Sequence, residues 1–273
     1  MEHPDVSMIL NNLAQLRVAQ GRYTEAELLF RRALSIRKKA SGSDQRPSAV
    51  IMSNLAKVCR QTGKLAEAEV LFLRAIPILE KTVGSETSDV AMALNNLASV
   101  YQDRHRYPEA ERAYQRALAT DERVLGKKHP DVAKIINNLA TLDFELRKYA
   151  QAESLYLRAL EIKEKAFGTE HPDVAIVLNN VAELYFRQGR YAEAEPFYRR
   201  AIAIREKTLE PNHLDLAVSL NGYALLLQKT RRKSEASAIN TRIKQILAKN
   251  PDVQSASHTV KLQDLDAKKS WKQ

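Results

Sequence analysis

A block of 42 residues recurs along nearly the whole of this chain, and its clearest landmark is a doubled asparagine followed by an apolar residue and alanine. The series runs Asn11-Asn12-Leu13-Ala14, Ser53-Asn54-Leu55-Ala56, Asn95-Asn96-Leu97-Ala98, Asn137-Asn138-Leu139-Ala140 and Asn179-Asn180-Val181-Ala182, and ends in the altered form Asn221-Gly222-Tyr223-Ala224. A fixed period between about 20 and 50 residues marks an array of stacked units, because each unit is too small to bury its apolar face except against the next. One repeat therefore dictates the architecture, and the expectation is an all-α solenoid.

Hydrophobic spacing divides the repeat into two helices. In the third unit Val90, Leu94, Leu97, Ala98 and Tyr101 fall at helical intervals, and after a break at 103–106 a second stripe follows through Tyr107, Ala110, Tyr114, Ala117 and Leu118. Gly21, Gly63 and Gly189 stand between the two stripes in three repeats, where a helix commonly ends on a left-handed residue. Pro108 opens a second helix, a position whose missing N–H costs nothing.

First helices begin at His-Pro-Asp in three repeats, at His3, His129 and His171. The proline takes about the first helical position, and the aspartate sits in the first turn, where the helix dipole favours an anion. Neighbouring histidines lie one repeat apart. Packed helix axes are separated by about 8 to 10 Å and metal bonds to histidine are about 2 Å, so the histidines are read as structural, and neither a metal site nor a cofactor is expected.

On the second helix small residues recur at Ala26, Ala68, Ala110, Ala152, Ala194 and Ala236. An aromatic follows four places later at Phe30, Phe72, Tyr114, Tyr156 and Tyr198, and another alanine at 33, 75, 117, 159 and 201. Small side chains let helix backbones approach, and the aromatic fills the space beside them. This column is core. Cys59 stands where other repeats have Tyr101 and Tyr185, so it is read as a buried, inert thiol.

Small-aromatic-small on the second helix, with Leu-Ala-x-x-Tyr on the first, resembles the tetratricopeptide repeat. The 42-residue length, His129-Pro130-Asp131-Val132-Ala133, Asn179-Asn180-Val181-Ala182-Glu183-Leu184-Tyr185 and the run from Gln188 through Gly189-Arg190-Tyr191-Ala192-Glu193-Ala194 to Tyr198 are similar to the kinesin light chain subclass. The resemblance spans residues 3–247. It implies a right-handed superhelix of helix-turn-helix repeats at about 3–44, 45–86, 87–128, 129–170, 171–212 and 213–249, acting as a protein–protein interaction scaffold or adaptor. A kinesin light chain carries a heptad-patterned segment ahead of its repeats; this sequence has none, so binding of the kinesin heavy chain is not expected.

The outer repeats depart from the pattern. The sixth has Gly222 for the second asparagine, and Lys233 and Asn240 at aromatic positions, as suits a solvent-facing cap. Residues 250–273 are polar, with five Lys against three Asp counted from Lys249, and are expected to be a disordered tail in which Trp271 is incidental. No apolar run approaches the roughly 18 to 20 residues needed to span a bilayer, and Met1-Glu2-His3-Pro4-Asp5 lacks the order of a signal peptide. A cytoplasmic location away from membranes is the expectation.

Function is sought on the face of the first helix left over by the core. At 100° per residue the stripe Leu94, Leu97, Ala98 and Tyr101 leaves Met92, Asn95, Asn96, Ser99, Gln102 and Asp103 opposite, and the resemblance implies that this face lines a concave groove. Asparagine is less favourable than alanine inside a helix, so its repetition calls for a reason. An amide both donates and accepts. It can hold the main chain of an extended peptide, or it can bond the neighbouring helix in an inter-repeat ladder. The candidate rungs are Asn12, Asn54, Asn96, Asn138 and Asn180, with Asn95, Asn137 and Asn179 beside them; at about 8 to 10 Å per repeat the five span about 32 to 40 Å, room for roughly ten to twelve extended residues.

The formal charge is +10, and the same face carries Lys57, Arg60, Lys134, Arg187 and Lys229 against Asp103, Glu145 and Glu183. An acidic peptide is the favoured ligand. The alternative is a basic helical-repeat protein that binds nucleic acid; such arrays run nearer 35 residues per unit, and here stacking platforms are few beyond Phe144 and Phe186. The sequence has no Gly-rich phosphate loop, metal-spaced Cys/His cluster or nucleophile elbow, and the series Glu27, Glu69, Glu111, Glu153, Glu195 reads as a periodic helix feature. An enzyme is not expected.

Overall fold

The computed structural model describes residues 3–41 and 45–250. Among them every regular element is helical, and twelve helices form six pairs. The first helices are α1 (Pro4–Ala19), α3 (Arg46–Gln61), α5 (Ser88–Asp103), α7 (Pro130–Glu145), α9 (Pro172–Arg187) and α11 (Leu214–Lys229). The second are α2 (Tyr23–Ser41), α4 (Leu65–Val83), α6 (Tyr107–Val124), α8 (Tyr149–Phe167), α10 (Tyr191–Thr208) and α12 (Lys233–Ala248). The chain divides into two compact units, Met1–Lys127 and Lys128–Gln273, with three pairs in each. Of the tail expected at 250–273, everything from 251 onward, Trp271 included, lies outside the described residues.

The helix starts explain the histidines. Nδ1 of His3, His129 and His171 accepts the backbone N–H of Asp5, Asp131 and Asp173 at 3.3, 3.2 and 3.1 Å, so each ring caps an otherwise unsatisfied donor. His213, which no proline follows, does the same for Asp215 at 3.2 Å.

The turn inside each pair is a left-handed closure. In the first pair Arg22 donates its N–H back to the carbonyl of Arg17 at 2.9 Å, and Arg106 to Tyr101, Lys148 to Asp143 and Arg232 to Leu227 do likewise at 2.8 Å. This six-residue hydrogen bond requires a positive φ just before the donor. Glycine supplies it at Gly21, Gly63 and Gly189, but His105, Arg147 and Arg231 adopt φ of 58°, 59° and 64° at the same place. The geometry belongs to the fold rather than to the glycine.

The small-aromatic-small column is core throughout. Ala26, Ala68, Ala110, Ala152 and Ala194, with Phe30, Phe72, Tyr114, Tyr156 and Tyr198, are buried. Buried hydroxyls need partners, and the first helix supplies one wherever the ring is tyrosine: Ser99 Oγ lies 2.9 Å from Tyr114, while Thr141 and Glu183 accept from Tyr156 at 3.0 Å and Tyr198 at 2.8 Å. Where the ring is Phe30 or Phe72, the corresponding residues are Gln15 and Lys57. Burial pushes the Cys59 thiol up to about 12, which keeps it protonated and unreactive.

The periodic glutamates hold adjacent pairs together. Glu27 accepts Lys64, Glu69 accepts Arg106, Glu153 accepts Arg190 and Glu195 accepts Arg232, all at 2.7 to 2.8 Å. In each case the base comes from the turn of the following repeat. Tyr185 and Tyr223 donate their hydroxyls to Glu153 and Glu195 at 3.0 Å, and Arg106 and Arg190 lie over the rings of Tyr101 and Tyr185. The arginines of the outer face form further bridges between repeats, including Arg31 to Glu67 and Arg200 to Glu164.

Gly222 is not a decayed asparagine. A Cβ built there would lie 2.5 Å from Cε1 of Tyr198 and 2.8 Å from its Cζ and hydroxyl oxygen. The buried ring of the preceding repeat fills the space that a side chain would need.

Candidate functional site

The first helices present one face in each unit, and the structure separates the asparagines on it into distinct roles. Asn54 donates from Nδ2 to Oδ1 of Asn11 at 3.1 Å, and Asn180 donates to Asn137 at 2.9 Å. The second asparagine of a repeat therefore bonds the first asparagine of the repeat before it. Two of the candidate rungs form an inter-repeat ladder. The helical projection placed both asparagines away from the core, but Asn95 and Asn54 are buried. Projection weighs a helix against its own partner, whereas in a stacked array the neighbouring first helix covers one edge of that face.

The ladder is interrupted at one point in each unit. In the second unit Gly222 has no amide to offer Asn179, and Ser219 Oγ donates to Asn179 Oδ1 at 2.9 Å instead. In the first unit Ser53 replaces the accepting asparagine and is too short to meet Asn96. Among the described residues Ser53 Oγ is buried without a hydrogen-bond partner. Asn96 is half-buried and forms no side-chain hydrogen bond within the described residues.

A small cavity of about 80 Å³ opens at this break. Val50 and Ser53 of α3, Leu79 of α4, and Met92, Ala93 and Asn96 of α5 line it, with Lys57 and Asp89 on its wall. An apolar floor thus lies next to an amide and a hydroxyl with hydrogen-bonding capacity to spare, a combination that takes an aliphatic side chain together with the main chain beside it. The position of Met92 also carries Met8, Val50, Ile176 and Val218 in four other repeats and Lys134 in the fourth, and Met8, Met92 and Ile176 are exposed. Neither the serine break nor this apolar column was singled out from the sequence, although both appear when the repeats are aligned position by position.

Two basic residues of the face lie against carboxylates. Arg60 donates to Asp103 at 2.6 Å and Arg187 to Glu183 at 2.6 Å, so each already has a carboxylate. Lys57 and Lys134 are exposed. Asn12 is exposed on α1, its Oδ1 accepting from Asn11 at 3.3 Å, and Asn138 is half-buried. Phe144 and Phe186 pair with Tyr149 and Tyr191, their ring centroids 6.0 and 5.5 Å apart. Among the described residues no group of His, Cys, Asp and Glu is placed to hold a metal ion, and no helix is long and apolar enough to cross a membrane.

A sequence profile for the family described as Tetratricopeptide repeat matches residues 5–81, 89–165, 131–207 and 173–248. No curated protein matches the chain. Among solved structures, BtubC (BKLC) from P. vanneervenii is 24% identical with a TM-score of 0.66, covering 87% of this chain and 92% of that one. Nearly identical TPR-like repeats of a kinesin light chain type from Podosopora anserina give 25% identity and a TM-score of 0.59 over 73% of this chain and 94% of that one. Pseudomonas aeruginosa pilF, 18% identical, covers 97% and 98% of the two chains with a TM-score of 0.58.

Proposed function

The chain belongs to the tetratricopeptide repeat family, of the kinesin light chain-like kind, and is a protein–protein interaction scaffold; we propose that its first-helix face binds an extended segment of a partner protein without catalysis. The observation that carries this reading is the break in the amide ladder at Ser53 and Asn96. A ladder built for stability alone gains nothing from a buried hydroxyl without a partner, which costs about 1 to 3 kcal/mol. A peptide crossing the face offers a carbonyl to Asn96 Nδ2 and an N–H to Asn96 Oδ1 or Ser53 Oγ, while one small aliphatic side chain enters the cavity between Val50 and Met92. Asn12, exposed on α1, extends the same role within its own unit.

The preference for an acidic segment rests on Lys57, at the cavity wall, and Lys134. Arg60 and Arg187 contribute by exchanging Asp103 and Glu183 for ligand carboxylates. A peptide-array pull-down supplies the binding segment, and isothermal titration then tests the site. Ser53→Asn restores the missing acceptor, so Asn96 turns to it as Asn54 turns to Asn11; affinity should fall while the melting temperature holds or rises. Asn96→Ala should also weaken binding without unfolding the chain. Affinity should decline with salt, and less steeply in Lys57→Ala. Unchanged affinity in both Ser53→Asn and Asn96→Ala would remove the reading.

A further inference from the structure

The second helices each turn one face outward, opposite the small-aromatic-small column, and the outer face of α4 is unlike the rest. Ala66, Val70, Leu73 and Pro77 are all exposed there, Val70 by 54% and Leu73 by 48%. Their spacing of four, three and four residues sets them in a single stripe about 16 Å long. The same four positions include Arg31 in α2, Arg112 in α6, Glu161 in α8, Arg199 in α10 and Thr241 in α12. Every other second helix thus interrupts the stripe with a polar side chain. Leu28 of α2, 65% exposed, occupies the position of Val70 one helix away and widens the patch. Pro77 adds an acceptor, because inside the helix it has no N–H for the carbonyl of Leu73.

The two edges of the stripe differ in charge. Toward α6, Glu69 and Glu80 are held by Arg106 and Arg116. Toward α2, Glu67 is held by Arg31 at 2.7 Å, and Arg74 and Lys81 follow it at intervals of seven residues. Both are exposed, and neither bonds a carboxylate among the described residues. Lys38 of α2, also exposed, stands where α4 has Glu80. The charge left unanswered beside the stripe is therefore positive. A second copy of the chain does not answer it. Antiparallel pairing about a two-fold axis sets each edge against itself, Arg74 and Lys81 against their own twins, and parallel pairing sets them against Glu69 and Glu80, which α6 already holds.

We infer that the outer face of α4 is a second docking surface, which takes an amphipathic helix of a partner protein with glutamate or aspartate beside its apolar stripe. Apolar residues spaced four and three apart form the seam that one helix offers another, and about eleven residues of partner helix cover the length from Ala66 to Pro77. The partner's apolar side chains pack on Val70, Leu73 and Leu28, its carboxylates reach Arg74 and Lys81, and a donor side chain near its middle reaches the Leu73 carbonyl. The stripe lies on the opposite side of α4 from the buried Ala68, Phe72 and Ala75, so this surface is separate from the face of the first helices. An array with both surfaces joins two partners.

Panning a library of helix-constrained peptides against the full chain supplies the probe, and fluorescence anisotropy measures its affinity. Enriched peptides should share an apolar stripe of this spacing with carboxylates beside it. Val70→Gln with Leu73→Gln should weaken them by about tenfold or more at unchanged far-UV circular dichroism, since both sites are exposed and glutamine is a good helix former. Arg74→Ala with Lys81→Ala should weaken them less and lower the salt dependence. Ser53→Asn should leave their affinity unchanged, which separates this surface from the first-helix face. No enriched helix, peptides indifferent to Val70→Gln with Leu73→Gln, or binding of phosphatidylserine vesicles through Val70 and Leu73 in place of peptides would overturn the inference.

Discussion

Gly222→Ala sets the repeat pattern against the packing. By the pattern, position 222 belongs to asparagine, and by helix propensity alanine should stabilise α11 by about 1 kcal/mol over glycine. The added Cβ, however, would sit 2.5 Å from Cε1 of Tyr198. That ring is buried and its hydroxyl is tied to Glu183 at 2.8 Å, so it cannot swing aside as the tip of a long side chain would. Overpacking of a well-filled core costs about 1 to 3 kcal/mol, and a contact this short at an immobile ring belongs in the upper half of that range. The net expectation is a loss of about 1 to 2 kcal/mol. Urea denaturation followed by far-UV circular dichroism measures it. The double variant supplies the control: with Tyr198→Leu in place, Gly222→Ala should turn neutral or stabilising, giving a coupling of about 1 to 3 kcal/mol. Gly222→Ala more stable than the parent, or a cycle without coupling, would refute the claim that the ring dictates the glycine.

Other expectations follow from the same contacts. Arg147→Gly, at an exposed left-handed turn position, should raise stability by up to about 1 kcal/mol, since a left-handed L-residue costs roughly 1 to 2 kcal/mol; a lower melting temperature would show that the arginine side chain does more than tolerate the turn. Ala110→Leu or Ala152→Leu should cost about 1 to 3 kcal/mol through overpacking, with loss of hydrogen-exchange protection beginning in the mutated repeat. Stability should also fall in acid. Hydrogen bonds from Arg190 and Arg232 hold Glu153 and Glu195 below their ordinary value of 4.5, and at Glu27 burial pushes upward but Lys64 and Arg31 outweigh it. For depressed carboxylates the unfolded chain takes up protons first, so their stabilisation is complete above 4.5 and is lost as pH falls through the lower folded values. Glu153→Gln with Glu195→Gln should flatten that part of the pH–stability curve, and an unchanged curve would assign acid sensitivity elsewhere.

The helix pairs, their turns and the small-aromatic-small core were legible in the sequence because they rest on local rules: periodicity, glycine and proline placement, and side-chain volume at a repeated position. The periodic glutamates could likewise be recognised as structural, since a residue that recurs with the repeat must answer a contact that recurs with it. The roles of individual positions were less accessible. Burial of Asn95 and Asn54, the pairing of Asn54 with Asn11 and the clash that excludes a side chain at 222 are set by how closely one repeat approaches the next, and a helical wheel contains no neighbour. Ser53 looked like a minor variation in a doubled asparagine. It matters because the chain places it about one repeat away from an amide that reaches for it and finds a serine too short to answer, and that distance exists only once the helices are stacked.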